Sequence, residues 1–413
     1  MSPTPAGPSS PSRRAAWIAV AVLWPMAFLY YFDRLLITSM RPAIRLDIPM
    51  TDAQFGLLTS GFLWVYGCLS PIGGFIADRW GRRPIIVASL LIWSVGVWFT
   101  GHAHTYSQLL SVRMLLGAGE ACFLPAAFAL ISNHHPGPTR SRAIGLLNTG
   151  LYVGSALGGA GGWLAEHFGW RSGYSLLGVV GLAYCALVAV LLQDTPPPVE
   201  IFDGSGPRLA ARGAGRALLA NGAFWILVGV YCFGTASNWL CYAWLPTYLR
   251  DRFHLSAGAA GLSATSYLQA GTFLGVIVGS FWADWWSLRQ NRARAWVAAV
   301  GFTVAVPGLF LVGSSPVFLA TVIGLMLFGV GRGFFDTNCM PILRQISAQR
   351  YSATGYGFLT FAGCIAGGLI TYGSGALLDA KVSLAIVFRC AAFGMGIAAV
   401  GLALLKSRSR RAT

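Results

Sequence analysis

Apolar residues run along this chain in twelve long stretches separated by short polar connections. Stretches of about 20 apolar residues match a bilayer core about 30 Å thick at about 1.5 Å rise per residue. The pattern predicts spans at about 16–40, 53–77, 84–102, 106–132, 140–165 and 172–192, then at about 222–249, 257–284, 295–313, 316–342, 351–375 and 384–406. Between the two sets lie Pro196-Pro197-Pro198 and Gly204-Ser205-Gly206-Pro207, a linker composition. The expected organisation is a disordered tail over 1–15, a six-helix bundle over 16–192, a linker over 193–220, a second six-helix bundle over 221–406 and a tail over 407–413. The predicted fold class is an all-α membrane protein with twelve transmembrane helices in two pseudo-symmetric bundles.

Composition agrees: 55% of residues are hydrophobic and 10% charged, where soluble domains carry about 25% charged. The net charge of +16 invites nucleic acid as a partner, but its distribution argues otherwise. Nineteen of the 29 Lys and Arg fall on the side of the predicted topology that holds both termini, six on the other side and four (Arg34, Arg113, Arg332, Arg389) inside spans. That excess is a topology signal and sets both termini in the cytoplasm. Lysine occurs only at positions 381 and 406, a bias of GC-rich genomes, which points to a multi-pass protein of a bacterial inner membrane. Ser12-Arg13-Arg14 mimics an export signal, but no small-residue cleavage site follows and the apolar run reads on as span 1. The eight cysteines contain no Cys-x-x-Cys pair, so neither a disulfide framework nor a metal site is expected. No nucleophile, metal or phosphate motif suggests an enzyme or a cofactor.

The halves repeat each other. Leu115-Leu116-Gly117-Ala118-Gly119-Glu120 in span 4 matches Leu327-Phe328-Gly329-Val330-Gly331-Arg332 in span 10, and Ala77-Asp78-Arg79-Trp80 after span 2 is echoed by Ala283-Asp284-Trp285-Trp286 after span 8. Parallel repeats related by an axis along the membrane normal place a binding site between them near the midplane.

Six ionisable residues lie within predicted spans: Asp33, Arg34, Arg113, Glu120, Arg332 and Asp336. Each alone at mid-helix costs about 2.5–3.5 kcal/mol on an insertion scale, so they are expected to pair or to line a wet cavity. Tyr30, Asp33, Arg34 and Ile37 share a helical face, as do Arg113, Gly117 and Glu120, while Arg332 and Asp336 are i, i+4 neighbours. Asp33 and Arg113 fall at similar depth and could pair across spans 1 and 4, with Asp336 neutralising Arg332. These charges are expected to bridge the halves directly or through substrate. Arg34 and Arg332 suit an anionic ligand, because a guanidinium forks a carboxylate bidentately. Glu120 and Asp33 are the candidates for a coupling proton, since burial favours the neutral carboxyl and a nearby arginine the ionised one. Tyr30, Asn148, Tyr152, Asn238 and Tyr242 are candidate substrate contacts, with Tyr66, Gln269 and Tyr356 as further wall residues.

The loop Gly74-Phe-Ile-Ala-Asp78-Arg79-Trp-Gly81-Arg82-Arg83 resembles the signature loop between helices 2 and 3 of the major facilitator superfamily. The resemblance covers nearly the whole chain. It implies the twelve-helix fold of that superfamily and a conformational gate at Gly74, Asp78, Arg79, Gly81, Arg82 and Arg83. Asp33-Arg34 with Gly119-Glu120 resembles two groups within it, the anion:cation symporters and the bacterial relatives of Spinster, and implies functional roles for Asp33, Arg34 and Glu120. The antiporter signature of span 5 has proline where this chain has Ser155, which disfavours a drug–proton antiporter. The reading is a secondary transporter of a small organic anion, a sugar acid or other carboxylate, coupled to protons by alternating access, with sodium as the alternative ion. The expected partners are that small-molecule substrate, the ion and the lipid bilayer, and the expected state is a monomer. A lysolipid carrier, a drug or metabolite exporter and a non-transporting sensor are the alternatives.

Overall fold

The computed structural model describes residues 13–135, 139–194, 218–347 and 351–405. Met1–Ser12, most of the proposed linker, and the tail therefore lie outside the described residues. Among the described residues, eleven helical segments of 20 to 32 residues are long and apolar enough to cross a membrane. The twelfth crossing is Arg140–Phe168, interrupted in its middle. Spans 1 to 6 comprise Arg13–Ser39, Asp52–Trp80, Arg82–Gly101, Tyr106–Glu120 with Phe123–His134, Arg140–Leu157 with Gly161–Phe168, and Trp170–Leu191. Spans 7 to 12 are Gly222–Phe253, Ala257–Ser287, Ala293–Ser314, Phe318–Ile346, Ser352–Asp379 and Leu384–Leu404. The end of the molecule where span 1 begins and span 12 ends is called the termini side here, and the other end the far side.

Three features correct the continuous spans expected from hydropathy. Span 4 breaks immediately after Glu120, with a turn at Ala121-Cys122. Span 5 passes through a 3-10 turn at Gly158–Ala160. A short helix, Arg41–Asp47, fills the connection between spans 1 and 2. Interrupted helices are tolerated at membrane depth where protein or a polar cavity surrounds them, and both breaks face other spans here.

The internal repeat has a packing explanation. A side chain on Gly117 would meet the Phe62 carbonyl of span 2 at 2.6 Å, and one on Gly329 would run into the Leu268 carbonyl of span 8. Gly119 lies against Ile92 and Ser89 of span 3, and Gly331 against Gly301 of span 9. The two glycines per half thus let spans 4 and 10 approach equivalent neighbours, as small residues do in lipid. That approach carries Glu120 and Arg332 to equivalent places in the two bundles.

The bundles touch along spans 2 and 11 and along spans 5 and 8. Ser60 donates to the Gly368 carbonyl at 2.7 Å, and Thr265 and Ser266 donate to the Ala156 carbonyl at 2.7 and 3.1 Å. Gly159 and Gly261 stand backbone against backbone, so a Cβ on either would overlap the carbonyl oxygen of the other. Phe55 and Trp244 meet edge to face at the far-side end. The far side is closed by these contacts.

Candidate functional site

Span 1 places its two charges in different directions. Asp33 points into the first bundle, where Arg113 Nη1 of span 4 donates to its Oδ2 at 3.2 Å, with both side chains fully buried. Arg34 reaches toward the break in span 4, and its Nε and Nη2 both donate to Glu120 Oε2 at 2.7 Å. The Glu120 side chain is 0% exposed and its Oε1 has no hydrogen-bond partner. Aromatic rings enclose the Arg34 guanidinium: Tyr31, Phe62 and Tyr66 have centroids 4.6, 4.9 and 4.5 Å away. Such rings hold a cation by their quadrupole while excluding water.

Across the interface, Arg332 Nε donates to Asp336 Oδ2 at 3.0 Å. Both side chains remain partly exposed, at 24% and 30%, and Arg332 Nη1 is buried without a partner. Tyr152 of span 5 and Tyr242 of span 7 are neighbours of Arg332, and Tyr31 of span 1 is a neighbour of both tyrosines. Tyr242 accepts from Gln269 Nε2 at 2.8 Å. Tyr356 packs on Tyr231 and also senses Asp336 and Tyr31. Tyr31, Tyr152, Tyr242 and Tyr356 of spans 1, 5, 7 and 11 therefore gather between Arg332 of span 10 and the Arg34–Glu120 pair.

Several sequence expectations change at this point. Tyr30, read as a substrate contact, turns into the first bundle, where its hydroxyl meets Ser89 Oγ at 3.0 Å and its ring packs on Trp93 and Phe123. The neighbouring Tyr31, one helical step round at about 100°, is the one that lies against Arg34. The charges do not bridge the halves directly, because each arginine pairs within its own bundle. Asn238 is buried with its Oδ1 unpartnered, and Asn148 is half-buried on span 5. In the gate motif, Gly74 and Asp78 belong to the span 2 helix, and the Asp78 side chain lies outside what the structure describes. Gly81 turns the chain between spans 2 and 3 at φ 90°, a backbone that suits glycine. The Arg83 guanidinium donates to the Ala189 carbonyl, while its backbone N–H donates to Asp194 Oδ2 at 3.3 Å. Asp194, just beyond span 6, is a partner of Arg83 that no spacing rule connects to the motif.

The buried Asp33–Arg113 pair makes a stability prediction. Replacing Arg113 with Met leaves a carboxylate unpaired, at a cost of about 3–5 kcal/mol, whereas removing both charges is often near neutral. Thermal unfolding should therefore show Asp33→Asn/Arg113→Met more stable than Arg113→Met alone. A double variant as unstable as the single would show that the pair is not the energetic unit.

Comparison with known proteins gives the family and the fold. Residues 23–371 match the Major Facilitator Superfamily model, and the chain belongs to that superfamily of membrane transporters. Among relatives, a probable sulfoacetate transporter of Cupriavidus necator is 26% identical over 92% of this chain and 91% of its own length. A D-galactonate transporter of Escherichia coli is 24% identical over 88% of this chain and 89% of its own. Among solved structures, an inward-facing, unoccupied bacterial homologue of the human lysosomal transporter Spinster superposes with a TM-score of 0.76 at 21% identity, covering 95% of this chain and 96% of that one.

Proposed function

We propose that this transporter carries a small organic anion, a sugar acid or other carboxylate, together with a proton by alternating access. Charge balance is the observation that carries the reading. Three arginines face three carboxylates in the pairs Asp33–Arg113, Arg34–Glu120 and Arg332–Asp336, so the fully ionised site is neutral. An entering anion leaves one uncompensated negative charge in a low-dielectric space, an unfavourable state. One proton on a carboxylate cancels it. Glu120 is placed for that proton: its protonation weakens the hold on Arg34, which then offers its donors to the substrate. Arg332, with an unpartnered Nη1, is the docking point on the second bundle. The names of the sulfoacetate and galactonate relatives support an anionic cargo. With the arginine-rich loops taken as cytoplasmic, the closed far side faces the periplasm, the protein sits in a bacterial inner membrane and the conformation is inward-open.

Proteoliposomes loaded at neutral pH and placed in acid buffer test this with a panel of aldonates, uronates and sulfonates. Uptake of a monoanion should follow the proton gradient and ignore membrane potential, because an anion and a proton cross together. Arg332→Gln should weaken substrate binding about 100-fold, the scale of losing one partner of a desolvated charged hydrogen bond. Uptake that stops when the potential alone is collapsed would overturn electroneutral coupling. The aromatic wall around Arg34 favours one second reading, an amphipathic lipid cargo. Transport of a lysolipid but of no acid in the panel would select it.

A further inference from the structure

We infer that Asp379 and Glu166 form a symmetry-related pair of latches that hold the far side shut and so set the resting conformation of the transporter. Span 11 ends on Asp379, whose Oδ1 and Oδ2 accept the backbone N–H groups of Asp52 and Ala53, both at 2.9 Å. Those are the first two residues of span 2, in the opposite bundle. Near the end of span 5, Glu166 Oε1 accepts the N–H of Ala257 at 2.7 Å, the first residue of span 8. Spans 5 and 11 occupy equivalent places in the two halves, as do spans 2 and 8. One contact is thus made twice across the pseudo-twofold axis.

The chemistry favours both contacts. First-turn N–H groups have no acceptor within their own helix. A carboxylate placed there gains a charge-assisted hydrogen bond and a favourable interaction with the helix dipole. Thr51 Oγ1 already accepts from Gln54 N–H and Ser256 Oγ from Ala259 N–H, each at 3.1 Å. Each helix therefore caps its own third donor and leaves the first ones to the other bundle. Among the described residues neither Asp379 nor Glu166 belongs to an ion pair, whereas the Asp52 carboxylate is held by Arg41 and by Arg45 Nη1, the latter at 2.6 Å. Parting of the far side breaks all three of these latch bonds and leaves each bundle's own caps intact. The latches consequently bias the conformational equilibrium without supporting either bundle, and Asp379 and Glu166 are positioning residues for the transport cycle. This inference rests on the alternating-access reading.

Hydrogen–deuterium exchange of the full-length protein tests it. Asp379→Asn/Glu166→Gln should exchange about tenfold faster at the starts of spans 2 and 8, the loss expected for a hydrogen bond to a charged group. The termini-side ends of spans 4 and 10 should exchange more slowly as that side closes. Ala257→Pro is the second variant: it deletes the donor N–H, proline suits a first helical position, and Ser256 already has extended backbone at ψ 158°. It should shift both ends in the same directions by a smaller amount. Faster exchange confined to the helix starts, with no matching protection on the termini side, is local fraying and overturns the latch role. No change at either end overturns it as well. Gly261→Val, which props spans 5 and 8 apart, separates the two ideas. If it too shows no reciprocal change, alternating access is the reading that fails. If it does and the latch variants do not, only the latches fail.

Discussion

Glu120→Gln should abolish proton-driven accumulation while leaving substrate exchange across the membrane in place. Under the proposed coupling, one proton per monoanion lets a pH difference of one unit sustain about a tenfold concentration ratio. Glutamine keeps the shape of glutamate and is permanently neutral, so it copies the protonated state. The glutamate carboxylate is completely buried, accepts both Arg34 donors on one oxygen and leaves the other unpartnered. In the variant, Arg34 faces the substrate at every pH, and the anion binds and crosses in either direction without a proton. Counterflow in proteoliposomes should persist, and accumulation against a gradient should fall to a ratio of about 1 because nothing then couples the ion to its cargo. An accumulation ratio that still rises tenfold per pH unit would move the proton to Asp33 or Asp336.

The sequence made the twelve crossings and the six intramembrane charges legible, and for the same reason. Lipid forces long apolar runs and makes each charge within them conspicuous, so Asp33, Arg34, Arg113, Glu120, Arg332 and Asp336 stand out without any structure. Their pairing was only partly legible. Periodicity gives a helical face, and a face spans several directions: it grouped Tyr30 with Asp33 and Arg34, whereas Tyr31 is the tyrosine that packs on Arg34. Contacts between helix ends are set by residues far apart in the chain, and Asp194, Glu166 and Asp379 therefore carried no signal. The breaks in spans 4 and 5 were invisible to hydropathy, because a turn of Ala, Cys and Gly is as apolar as the helix around it. Thr51-x-x-Gln54 and Thr105-x-x-Gln108 are capping boxes whose spacing would have fixed the starts of spans 2 and 4.

Gly261→Val should give a folded protein that does not transport, while Gly331→Val should fail to fold. Both glycines meet a backbone carbonyl of another helix, and neither leaves room for a Cβ. They differ in which helix they meet. Gly331 of span 10 lies on Gly301 of span 9, inside one bundle, and that contact persists through any rocking motion. A side chain there forces two helices of the same core apart, and the overpacking, typically about 1–3 kcal/mol and more against rigid backbone, acts in every state. Gly261 of span 8 lies on Gly159 of span 5, across the bundles, and under the proposed alternating access the two part when the far side opens. Valine is then accommodated in the open state and excluded from the closed one, so the cycle stops with the far side accessible. The measurements are thermal unfolding, uptake and exchange at the start of span 8. Gly261→Val should unfold near the wild-type temperature, show background uptake and exchange rapidly at that site, and Gly331→Val should yield little folded protein. Wild-type uptake by Gly261→Val would show that the closed far side is not an obligatory station, because no rearrangement short of separating spans 5 and 8 makes space for the added atoms.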